Sequence, residues 1–109
     1  MPDTIPPKDN PMFLFSIIRG KLCAYNPDAP NPEALDSAEG TLRAIKARCG
    51  HVAELPEIAN LFVTVHNHLI SLLGNLEPGG GTPNLQQTRE AALLALTDLG
   101  NEIVKHQGV

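Results

Sequence analysis

The sequence predicts an all-α fold: a small helical bundle of three long helices and one shorter N-terminal helix, expected to pair as a homodimer. Three features carry the helical part of that expectation. Apolar residues recur at steps of three and four, the mark of a helix seated on a core by one face. Start signals built on proline precede those stripes at Pro11, Pro32 and Pro56, where a missing N–H and a fixed φ suit the first helical position. Proline and glycine clusters separate the stripes, and no helix crosses them easily. At 109 residues there is room for one domain, expected over 11–107.

Residues 1–10, MPDTIPPKDN, read as a mobile proline-rich tail. Asn10-Pro11 then opens a helix over about 11–25. Leu14, Ile18, Leu22 and Tyr25 share one face of it, Phe13, Phe15 and Ile17 lie off that face, and Gly20 weakens the middle. The run MFLFSII is compact and partly β-branched, so a short strand is the alternative; the cap signal favours helix. The connector NPDAPN follows, and Asn31-Pro32-Glu33 starts a helix over about 32–49. Its stripe is Leu35, Ala38, Leu42, Ile45 and Cys49, its far side Asp36, Glu39, Arg43, Lys46 and Arg48, with Glu39 and Arg43 four apart and able to pair. Gly50 is a natural stop, and HVAEL is expected to be a plain connector.

Pro56-Glu57 opens a third helix, over about 56–76. EPGGGTP breaks it, and a fourth helix runs over about 84–106, with Asn84 and Gln87 at capping-box spacing. Leu85, Ala92, Leu96, Leu99 and Ile103 form its stripe, interrupted by Arg89 and widened by Leu93, Gly100 and Val104. Gly100 costs about 1 kcal/mol of helix propensity relative to alanine, which a closely packed neighbour would offset. The third and fourth helices are expected to form a long antiparallel hairpin.

The formal net charge is −4 and the eight Lys/Arg residues are scattered, so no basic stripe for phosphates stands out and direct nucleic-acid binding is not expected. No apolar run is long enough to span a bilayer, and the N-terminus lacks a signal-peptide layout; the cytoplasm is the expected location, with no membrane partner. Cys23 and Cys49 fit neither a disulfide framework nor a metal knuckle, and both are expected to be reduced and buried.

No catalytic signature is present, and neither an enzyme nor a metal or cofactor is expected. His66 and His68 are two apart, about 200° around a helix, so one helix cannot bring both to one metal. His66 is expected at a packing boundary and His68 at a junction or in solvent. Gly79-Gly80-Gly81-Thr82 lacks the preceding strand and the Gly-Lys-Ser/Thr ending of a phosphate loop. Neither cysteine and no serine sits in a nucleophile motif. The chain resembles histidine phosphotransfer modules in size and in a mid-helix histidine. That family places Lys and a small residue three and four positions after the phosphorylated His. Here Leu69 and Ile70 follow His66, and Ser71 and Leu72 follow His68, so the phosphate-holding charge is missing.

The remaining signal is a surplus of apolar helix surface. Between Ile58 and Leu76 there are two adjacent stripes: Ile58, Phe62, Val65, Leu69, Leu72, Leu76, and Ala59, Val63, His66, Ile70, Leu73. The bland reading is a bundle that uses both faces of its central helix. The functional reading leaves part of that surface open as an interface, because small domains bury a smaller share of their surface and large bare apolar patches mark partner sites. The expected interface residues are Phe13, Phe15, Ile18, Ile58, Leu61, Phe62, Val65, Leu69, Leu72 and Leu76, contacting a second copy of the chain and a protein client.

In its helical hairpin from Pro56 to His106, with stripes Ile58–Leu76 and Leu85–Val104, the chain looks like small dimeric antiactivators, acidic helical proteins that bind LuxR-type quorum-sensing transcription factors. The resemblance is one of layout over that hairpin. It implies a regulator that sequesters a transcription factor by protein contact, without touching DNA. A secretion-type chaperone or a phage-assembly adaptor would share the layout, and with the phosphotransfer module these are the alternatives.

Overall fold

The computed structural model describes residues 5, 10–26, 28–29, 31–74 and 85–107, and its fold is all-α. Four helices run in chain order: α1 (Met12–Ala24), α2 (Pro32–Cys49), α3 (Pro56–Leu73) and α4 (Leu85–Val104), with a short 3-10 segment, Gly50–Glu54, between α2 and α3. MFLFSII is therefore helical and not a strand.

The starts follow the local chemistry. Asn10 Oδ1 accepts from Met12 N at 2.9 Å, and Pro11, with φ −87° and ψ 5°, stands just outside the helix, so α1 begins at Met12. Asn31 caps α2 by accepting from Glu33 N at 2.9 Å, and Pro56 occupies the first turn of α3. Gly50 ends α2 at φ 58°, the left-handed backbone that glycine adopts without strain. That turn lets the chain double back as a 3-10 segment instead of a plain connector. Val52 and Ala53 from it are buried and close one end of the bundle. The expected cap at Asn84 and the turn EPGGGTP lie outside the described residues.

Cross-helix contacts fix the topology as an up-down-up-down bundle. Arg48, near the end of α2, lies over the Phe13 ring at the start of α1, 5.1 Å from its centroid. Leu35 of α2 reaches Gly74 just past α3, and Glu39 of α2 reaches His66 of α3. At one end of α1, Met12 and Phe15 lie against Gly100 of α4; at the other, Arg89 Nη2 of α4 donates to Tyr25 O at 2.6 Å. Each helix thus flanks the next, α4 closes back on α1, and the α3–α4 packing is the most extensive.

The core takes one stripe from every helix: Leu14, Ile18, Leu22 and Tyr25; Ala38, Leu42, Ile45 and Cys49; Ile58, Phe62, Val65, Leu69 and Leu72; Ala92, Leu96, Leu99 and Ile103. Phe15, off the expected α1 face, is buried as well, because α4 covers that side. Leu35 packs at the edge of the core. Residues 1–10 were expected to be a mobile tail, yet Ile5 is buried and donates its N–H to His106 O at 2.8 Å, and Gln107 Nε2 donates to Asn10 Oδ1 at 2.8 Å. Cys23 is exposed, against expectation, because it follows Leu22 onto the outer side of α1; both cysteines are free thiols. Burial pushes the Cys49 thiol up to about 11.

Candidate protein-binding surface

The two neighbouring stripes of α3 meet different fates. The first is spent on the chain's own core: Phe62 is 5% exposed and Leu69 0%. The second lies one residue over and is only partly covered: Val63 is 58% exposed and Ile70 45%, Ala59 and His66 are half-buried, and Leu73 is buried. The expected interface is corrected accordingly. Phe15, Ile18, Ile58, Phe62, Val65, Leu69 and Leu72 are buried within one chain, and Leu61 is half-buried against the same core. Phe13 is exposed, with Ile17 one turn on. Leu76 lies outside the described residues.

Val63 lines a groove between α2 and α3, and Ile70 follows seven residues on along the same face of α3. One hollow of about 280 Å³ is lined by Leu42, Arg43, Lys46, Ala59, Phe62, Val63 and His66. A second, wider hollow lies beyond the same two bases, lined by Arg43, Lys46, Ala47, Gly50, His51, Ala53 and Glu54. The groove exists because α2 offers α3 a narrow apolar edge. Leu42 and Ile45 point inward, while Arg43 and Lys46 hold their charged ends in water. Nothing from α2 is left to cover Val63.

His66 Nδ1 lies 3.5 Å from Glu39 Oε1 across the same groove. Glu39 therefore faces α3 instead of pairing with Arg43 along its own helix. A phosphoryl group on His66 would meet that carboxylate, a repulsion at short range. His68 is half-buried on the other flank of α3. Among the described residues no three His, Cys, Asp or Glu side chains gather as a metal site requires, and no helix is long and apolar enough to cross a membrane.

Arg89 was legible in the sequence only as a break in a stripe. Its bond to the Tyr25 carbonyl ties the start of α4 to the end of α1, and its Nε is buried with no hydrogen-bond partner among the described residues. The 3-10 segment that walls the wider hollow also gave no sequence signal beyond Gly50. Comparison with known protein families, with characterised proteins and with solved structures gives no match.

Proposed function

We propose that this chain is a protein-binding regulator that acts by seating a helix of its client in the α2–α3 groove. One observation carries the reading: Val63 stands bare at a hollow floored by Leu42 and Phe62, and Ile70 stands bare seven residues on along the same face of α3. Two helical turns rise about 10.5 Å, so a client helix laid along the groove meets both with residues at i and i+7. Bare apolar surface of this kind is costly in water and is retained where a partner covers it.

In its specific form the reading is an antiactivator: the client is a transcription factor, held away from DNA by occupation of one of its own helices. The acidic balance of the chain supports action on a protein in preference to nucleic acid. Self-association is a separate proposal. It cannot use the Ile58–Leu72 stripe without opening the core; outside the groove, the bare large apolar side chains among the described residues are Phe13 and Ile17 of α1 and Leu94 and Val104 of α4.

Affinity capture from the native cell with wild-type and Val63→Asp protein, read by mass spectrometry, tests the reading. Wild type should retain a client that Val63→Asp loses while keeping its helical circular dichroism. A transcription factor as that client supports the antiactivator form, and a secreted or assembly substrate overturns it in favour of a chaperone. Identical captures by the two proteins overturn the groove as the client site.

A further inference from the structure

The sign of the groove is opposite to that of the molecule. The chain carries −4 overall, yet between Gly40 and Ala53 there is no acidic residue, while Arg43, Lys46, Arg48 and His51 fall in that stretch. The carboxylates that border this stretch face histidines and not its bases. Glu39 at one end of the stretch lies against His66, and Glu54 at the other lies 3.8 Å from His51 Nδ1. Arg48 is turned onto the Phe13 ring, on the α1 side. Among the described residues, Arg43 and Lys46 are left with no carboxylate at ion-pairing distance. These are the two bases that line both hollows.

Apolar floor and unpaired bases together describe a ligand. We propose that the groove takes an amphipathic helix whose apolar stripe is flanked by carboxylates, the stripe resting on Leu42, Phe62 and Val63 and the carboxylates meeting Arg43 and Lys46. This rests on the protein-binding reading and adds the chemistry of the partner. A helix fits better than a small acid, because the bare surface continues from the bases past His66 to Ile70, along about two turns of α3. A basic-flanked helix would bring like charges together over an apolar floor, where water screens them less than in bulk. A second copy joined through this same groove would set Arg43 and Lys46 near their own twins, so the occupant is a different surface.

A phage-displayed library of helical peptides tests this. Leucines are fixed at i, i+4, i+7 and i+11, the flanking positions are randomised, and the full chain is the bait. Enriched flanks should be rich in Asp and Glu. A synthetic peptide of the leading sequence should bind on the order of tenfold more weakly to Lys46→Glu, and its binding should weaken with salt. It should bind the Arg19→Glu variant, altered on the exposed side of α1, as it binds wild type. Enrichment of neutral or basic flanks, with binding still lost in Val63→Asp, overturns the acidic partner and leaves the groove reading standing. Binders indifferent to Val63→Asp, or no enrichment at all, overturn both. Arg43, Lys46, Val63 and Arg19 are all exposed, so the variants remain folded, as circular dichroism should show.

Discussion

Phe62 and Val63 are neighbours in the chain, both apolar, both in the middle of α3, and they differ in almost everything that follows from structure. Phe62 belongs to the core; Val63 stands more than half exposed beside α2. The same division separates Leu69 from Ile70. A helix advances about 100° per residue, so adjacent positions face different neighbours. For Val63 that neighbour is the flank of α2 bearing Arg43 and Lys46. The contrast teaches that buried and bare apolar side chains occupy adjacent stripes of one helix, so the stripe proposed for recognition can be altered apart from the core.

The sharpest way to break that comparison is one substitution made at both positions. Phe62→Asp buries an unpaired carboxylate and should cost several kcal/mol, on the order of 4, enough to unfold a domain of this size. Val63→Asp puts the same group in water beside two bases and should change stability by no more than about 0.5 kcal/mol. Urea denaturation followed by circular dichroism reads both. Equal losses would mean that Val63 is as much a core residue as Phe62.

A second test moves to α2, the other wall, and asks whether its inward stripe is as dry as that of α3. The Cys49 thiol is raised to about 11 from an ordinary 9.0 by burial. The folded state thus holds its proton where the unfolded chain releases it, so stability is full below pH 9 and falls as pH rises toward 11, by on the order of 2 kcal/mol. Cys49→Ala should flatten that alkaline decline, measured as denaturation midpoints between pH 8 and 11 by comparison with wild type. An unchanged slope would show that Cys49 is not the dry group its position makes it. A thiol reagent on native protein should label exposed Cys23 and spare Cys49.

The smallest effect concerns α4 where it meets α1. A methyl group added at Gly100 would meet Met12 and Phe15 side-chain atoms at 3.7–3.8 Å, ordinary contact. Gly100→Ala should therefore gain up to about 1 kcal/mol from helix propensity, read as a raised melting temperature. A loss would mean that α1 packs more tightly on α4 than those distances allow, and that the expected dependence on a bare backbone at Gly100 was correct.

Most of the fold was legible in the sequence because its signals are local. Asn31-Pro32 and Pro56-Glu57 state where helices begin, and Gly50 states where one ends. The stripes of α1, α2 and α4 each name a buried face. What was not legible was the competition between adjacent stripes of α3. Ile58–Phe62–Val65–Leu69 and Ala59–Val63–Ile70 are similarly apolar, and which is covered depends on three other helices at once. The same holds for Glu39, whose choice of His66 over Arg43 needs α3 in place, and for Arg89, whose carbonyl partner is 64 residues away. Ile5 escaped for a related reason: a single apolar residue among prolines has no periodicity to betray a long-range contact.

That last residue changes how the two extremities should be regarded. Ile5 fits into the core and its amide donates to the carbonyl of His106, so this one residue is a stopper set against the turn that follows α4. Trimming by a protease just past Ile5 would uncork the bundle at that rim. Amide exchange at the tail of α4 would quicken before any other helix felt the loss.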